Sequence, residues 1–108
     1  FLNGNVKQVS FYNNANLDGM NVIYHENGEV KVSGKYLNNY QEGTWSWLNS
    51  NGQLEKVETY KKGLLNGNWK QFYENGQIKF QGKYLDNKRI GQWVWYDLDG
   101  NDIHSEIY

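Results

Sequence analysis

Val30, Val32, Gly34 and Tyr36 alternate with Lys31, Ser33 and Lys35, and the pattern returns at Ile78, Phe80, Gly82 and Tyr84 against Lys79, Gln81 and Lys83. Successive side chains of a strand point to opposite faces, so each stretch reads as a strand with one core face and one polar face. A second kind of stretch is centred on tryptophan, as in GTWSWLN, GNWKQFY and GQWVWYD. These are strand-like too, being short and aromatic and opening on glycine. Trp69 and Phe72 are three residues apart and cannot share a face of a regular strand. Either a bulge re-aims one of them or both faces of these strands are partly covered. A sustained 3.6-residue periodicity is missing and Gly and Asn recur often, so no helix is predicted.

Turn residues punctuate these stretches at a fixed interval. Asn27, Asn51 and Asn75 each precede a glycine, and Asp99-Gly100 fills the same slot. Such pairs accept positive φ at both centres of a two-residue hairpin turn, so each unit is expected to be a β-hairpin closed that way. The segments LNNYQE, KKGLLN and LDNKRI then return the chain to the next tryptophan strand. Gly19, Gly43, Gly67 and Gly91 are 24 residues apart, and Tyr12, Tyr36, Tyr60, Tyr84 and Tyr108 keep the same interval. The chain therefore reads as an all-β, single-domain antiparallel meander of about nine strands, built from tandem 24-residue hairpin repeats into an elongated, twisted sheet. The units run approximately 1–18 (partial), 19–42, 43–66, 67–90 and 91–108 (partial). A lone two-stranded hairpin is at best marginal in water, so repetition is first a condition for stability.

Composition narrows the functional classes. A chain of 108 residues with an unbroken period is one domain. Without cysteine it has neither disulfides nor thiolate metal sites. A net charge of -1 and a pI near 6.1 supply no basic field, which argues against nucleic acid as a partner. The apolar runs are too short for a spanning helix or a signal-peptide core. A mean hydropathy of -0.91 would suggest disorder in a chain poor in rings, but 17% of these residues are aromatic and can supply a core. The chain opens on Phe1 in mid-unit, from which we expect that an N-terminal segment has been removed.

The phrase G-x-W-x-x-[FY]-[FY]-x-[ND]-G, followed by x-[VIL] and a closing Tyr, resembles the MORN repeat variant family of tandem β-hairpin arrays, over residues 3–108. The ends depart from the phrase: Asn21 stands in the tryptophan column, and Asp102 and His104 replace aliphatic and ring positions of the last strand. Terminal repeats are commonly atypical because they cap an array. The resemblance implies a repeat scaffold. Some relatives carry the repeats ahead of a phosphatidylinositol phosphate kinase, but this chain has no Gly-rich phosphate loop leading into a helix, no His-Arg-Asp and no Asp-Phe-Gly. A kinase label would rest on repeat similarity only. Other bacterial arrays of this repeat resemble antitoxin or immunity partners of toxins, which implies a protein partner.

Candidate chemistry is sparse. DLDGND, residues 97–102, suggests a calcium loop, but its glycine is fourth rather than sixth and Tyr108 stands where the twelfth-position Glu belongs, so the segment reads as a turn. His25 and His104 occupy different columns and read as solvated or capping residues. No serine sits in a nucleophile-elbow context. We therefore expect no enzyme activity, no cofactor and no metal site. Lys7, Lys31 and Lys79 share one column and Lys35 and Lys83 another, a candidate anion-binding strip interrupted by Glu55 and Thr59. Trp45, Trp69 and Trp93 form the repeat column and read as core. Trp47 and Trp95 are additional rings in a slot filled elsewhere by Ile23 and Gln71, and Tyr40 is placed in a loop. Rings that a fold does not require are the better interface candidates, because aromatic anchors dominate binding energetics. The reading that follows is a rigid display surface for a protein or peptide, with Trp47, Trp95 and Tyr40 as contacts. The competing readings are a peripheral module for anionic lipid and a structural spacer.

Overall fold

The computed structural model describes residues 8–10, 12, 13 and 16–108. Twelve strand segments follow in order: β1 Gln8–Val9, β2 Tyr12–Asn13, β3 Asn16–Leu17, β4 Gly19–Tyr24, β5 Val30–Leu37, β6 Tyr40–Leu48, β7 Leu54–Lys61, β8 Leu64–Leu65, β9 Gly67–Phe72, β10 Ile78–Leu85, β11 Lys88–Tyr96 and β12 Asp102–Ile107. Ten of them form one antiparallel sheet, nine in the order β1-β4-β5-β6-β7-β9-β10-β11-β12 and β8 beside β7, while β2 and β3 form a separate ribbon. Among the described residues there is no helix. The Cα atoms span 44 × 31 × 12 Å, so the domain is a single layer rather than a sandwich.

The turns correct one expectation. At the Asn-Gly sites the loop has three residues: His25 N–H donates to Glu29 O at 2.8 Å and Gly28 N–H to His25 O at 3.0 Å, and the same pair of bonds recurs at Asn49, Tyr73 and Asp97. Only the glycine takes positive φ, +91° at Gly28, which is the left-handed residue that closes a three-residue hairpin loop. The asparagine acts through its side chain instead: Asn27 Oδ1 accepts Glu29 N–H and Asn75 Oδ1 accepts Gln77 N–H. The two-residue turns with positive φ at both centres join the units, at Asn38-Asn39 (51° and 73°), Lys62-Gly63 (51° and 81°) and Asp86-Asn87 (49° and 71°). Their tight geometry brings Tyr40 into β6 as its first residue, opposite Leu37, rather than into a loop.

Bulges settle the spacing of Trp69 and Phe72. Phe80 pairs with Gln71 and Ile78 with Phe72, so Lys79 is an extra residue in β10. Paired residues share a face and consecutive residues do not. Trp69 and Gln71 therefore lie with Phe80, while Phe72 and Ile78 occupy the opposite face. Ile78 thus does not share the face of Phe80 and Gly82, as strict alternation had predicted. The same slip falls between Ile23 and Tyr24, Trp47 and Leu48, and Trp95 and Tyr96. Each hairpin consequently carries rings on one face for most of its length and a small apolar patch on the other near its turn.

Hydrogen bonds also run between units at both ends of the hairpins. Asn27 Nδ2 donates to Ser50 O and Asn75 Nδ2 to Leu98 O, while Tyr73 Oη donates to Tyr96 O at 2.7 Å. At the other end Leu17 and Leu65 N–H donate to Asn39 and Asn87 Oδ1, at 2.7 and 2.8 Å. These bonds span 22 or 23 residues, about one repeat, and lock each unit to the next.

Candidate partner-binding face

One face of the sheet carries the rings. Trp45 and Trp93 are 2% and 0% exposed, which a single layer achieves only by tiling side chains over one another. Each indole lies flat on a glycine of the preceding strand, Trp45 on Gly34 and Trp93 on Gly82, where an added Cβ would stand 2.0 and 2.1 Å from the ring. Tyrosines close both flanks edge-on, Tyr36 and Tyr60 around Trp45, and Tyr84 and Tyr108 around Trp93. The Arg89 guanidinium covers Trp93 at 4.8 Å and donates to Tyr108 Oη. Hydrogen bonds to Tyr84 and Tyr108 hold its charge, raising its pKa further.

Trp69 differs because the glycine column reads Glu at position 58. Trp69 is half-buried, and its indole N–H donates to Glu58 Oε2 at 2.9 Å, whereas Trp45 and Trp93 donate to the backbone carbonyls of Lys35 and Lys83. Glu58 is 7% exposed and also receives the Tyr60 hydroxyl at 3.1 Å, with Lys56 Nζ 3.6 Å away. Burial, then the charge of Glu58 and its hydrogen bond, push the Tyr60 phenol well above its ordinary value. This carboxylate separates the rings into one cluster around Trp45 and another around Trp69 and Trp93. The change from glycine to Glu58 between Gly34 and Gly82 is visible in the sequence, but sequence reasoning passed over it.

Trp47 and Trp95 lie on the same face, in a row across the strands: Ile23, Val32, Trp47, Lys56, Gln71, Phe80, Trp95 and His104. Trp47 contacts Trp45 at 6.2 Å and lies under Lys56 Nζ at 4.5 Å. Trp95 stacks on Phe80 at 5.8 Å and meets His104 at 5.1 Å. Both are half-buried, so neither is a free-standing exposed ring. No side-chain acceptor or carbonyl among the described residues takes either indole N–H, and no fully buried side-chain nitrogen among them is left unpaired, so neither N–H is fully enclosed. The two rings are four strands apart, about 19 Å.

The other candidates lie elsewhere. Tyr40 is 57% exposed at the unit-joining turn, packed against Gly63, and does not join the row. Lys31 and Lys79 occupy the bulges, and Lys79 Nζ sits 5.7 Å over Tyr73. Lys35 lies opposite Glu42 in the β5–β6 register, and Lys83 lines a shallow groove of about 370 Å³ with Lys70, Asn68, Gln81 and Gln92 on the polar face. Lys7 lies outside the described residues. Asp99-Gly100 occupies a turn, where Asp97 Oδ1 accepts the N–H groups of Asp99 and Asn101 at 2.9 Å. His25 Nε2 lies 2.9 Å from Leu48 O, a link between units.

The MORN repeat variant pattern matches residues 17–38, 41–62 and 65–86, more than half of the chain. The chain belongs to the MORN repeat variant family. The matched repeats begin at 17, 41 and 65, in step with the observed period, and β11 with β12 adds a hairpin beyond them. Membership supports a repeat-scaffold role for the array. No curated protein matches the chain.

Proposed function

We propose that this MORN array is a non-enzymatic scaffold that binds an extended segment of a protein partner across its ring face. The observation that carries the reading is the division of the five tryptophans. Three direct the indole N–H inward, to Lys35 O, Glu58 and Lys83 O. Trp47 and Trp95 leave theirs without an acceptor among the described residues while their ring faces stay packed. An aromatic side chain already held by its neighbours loses little entropy on binding and still offers one donor and one apolar edge, the properties of an interface anchor. The Lys56 and Gln71 positions between the two rings supply polar groups for a peptide backbone lying across the sheet.

Affinity capture from source-cell lysate and secreted fraction tests this, comparing the intact array with a folded Trp47→Ser/Trp95→Ser variant. A protein retained by the array and lost by the variant supports the reading. Equal retention by both, or none by either, removes the ring face from consideration and moves lipid binding or a spacer role ahead. Co-sedimentation with anionic vesicles at low and high salt then separates those two.

A further inference from the structure

Three of the hairpin turns carry the same Asn-Gly pair, yet they do not hold its side chain alike. Asn27 and Asn75 are pinned at both ends of the carboxamide. Oδ1 accepts the N–H two residues on, and Nδ2 donates to a carbonyl of the next unit, Ser50 O and Leu98 O respectively. At the turn between them Asn49 opens the loop, where the others have His25 and Tyr73. Asn49 Oδ1 accepts the N–H groups of Asn51 and Gln53, at 2.9 and 3.0 Å, so the bond that Asn51 would make to Gln53 is already taken. Among the described residues nothing bonds the Asn51 carboxamide, and Asn51 and Gly52 are both exposed.

We propose that Asn51 is a site of spontaneous covalent modification, a deamidation from which the fold protects Asn27 and Asn75. The backbone nitrogen of Gly52 gives its proton to solvent base and attacks Cγ of Asn51. The new C–N bond closes a succinimide ring, and Nδ2 leaves as ammonia. Water then opens the ring at either carbonyl, leaving an aspartyl or isoaspartyl residue at position 51. Glycine suits the attack because no Cβ stands in the way. Gly52 N–H donates to Asn49 O at 3.0 Å, but Gly28 and Gly76 make the same bond, so it slows all three turns alike. The carboxamide makes the difference. Two bonds must break before Asn27 or Asn75 can swing Cγ toward its glycine, and at the usual net strength of a hydrogen bond this slows the step about tenfold or more. Asn66 also precedes a glycine, but it is half-buried, and Gly67 lies in the β9 ladder opposite Tyr84. Conversion sets a carboxylate beside Glu29, whose Oε2 lies 3.8 Å from the Cβ position of Gly52, and so weakens the contact between two neighbouring units.

Peptide mapping by mass spectrometry tests the proposal on the folded chain, incubated at mildly alkaline pH and sampled over days. We expect conversion at Asn51 to run about tenfold or more ahead of Asn27 and Asn75. In concentrated urea the tethers are gone, and the three Asn-Gly sites should convert at similar rates. Asn49→Tyr copies the turn at Tyr73 and leaves the Gln53 N–H to Asn51, so it should slow Asn51 toward the rate of Asn75; a thermal melt followed by tryptophan fluorescence shows that this variant is folded. Conversion at Asn27 or Asn75 that keeps pace with Asn51 in the folded chain overturns the proposal, as does a lead for Asn51 that persists in urea or survives Asn49→Tyr. A folded chain unconverted at Asn51 over a time in which the urea-unfolded chain converts overturns it as well.

Discussion

Replacing Gly82 by alanine tests how this single layer makes a core. The new Cβ would stand 2.1, 2.2 and 2.5 Å from Cδ2, Cε2 and Cγ of Trp93, so the indole must leave its seat. Trp93 is fully buried, and an aromatic side chain of this kind buries roughly 150–250 Å². At about 25 cal/mol per Å² its complete release would cost about 4–6 kcal/mol. A ring that tilts by an ångström or so keeps part of that area, so the expected loss is about 3 kcal/mol, the upper end of overpacking costs. Gly82 does not use positive φ, which makes the effect purely steric. Gly76→Ala is the contrast: its Cβ meets nothing within 4 Å, but its φ is +89°, so only backbone strain of about 1–2 kcal/mol applies. Urea unfolding followed by tryptophan fluorescence measures both. If Gly82→Ala costs no more than Gly76→Ala, the seating of tryptophan on glycine is not what holds the layer together.

Further outcomes follow from the same contacts. Glu58→Leu leaves the Trp69 N–H, the Tyr60 hydroxyl and the Lys56 ammonium without their acceptor, and should cost about 2–4 kcal/mol in urea unfolding; Glu58→Gln, which keeps an acceptor, should cost less than half of that. The raised folded-state pKa of Tyr60 means that its contribution is complete below the unfolded value of 10.0 and is lost as pH rises above it; ultraviolet titration should show one late-ionising phenol, absent in Tyr60→Phe. Backbone hydrogen bonds, led by that from Asn101, hold the Asp97 carboxyl below its ordinary range; its contribution is present above the unfolded value and lost on acidification through the folded one, so Asp97→Ala should flatten the acid limb of the stability profile. Asn87→Ala removes the acceptor of Leu65 N–H and puts at φ +71° a residue that tolerates the left-handed region less well than asparagine, for a loss of about 1–2 kcal/mol, whereas Asn87→Gly should lose only the hydrogen bond.

The period, the hairpins and the tryptophan column were legible because side-chain type repeats wherever the local environment repeats. Gly34 and Gly82 could be read as core-facing, but that an indole lies flat on each was not legible, since the contact joins different strands. The turn types were exchanged for a similar reason. Asn-Gly suits a two-residue turn, yet a type I turn closed by glycine also satisfies it when the asparagine side chain accepts an N–H two residues on. The bulge at Lys79 was anticipated only as one of two explanations, because its signal, the spacing of Trp69 and Phe72, also fits coverage of both faces. At the candidate site the extra rings Trp47 and Trp95 were identifiable as departures from the repeat. Their company of Lys56, Gln71, Phe80 and His104 required the strand register, and Tyr40 proved to belong to another edge.

The measurement that bears most directly on the ring face as a binding surface is a titration of ¹⁵N-labelled array with the captured partner, read at the five indole N–H signals. Trp47 and Trp95 should shift or broaden, while Trp45 and Trp93, whose N–H groups are bonded to Lys35 O and Lys83 O, stay in place. Binding that leaves the Trp47 and Trp95 signals unmoved would contradict the account.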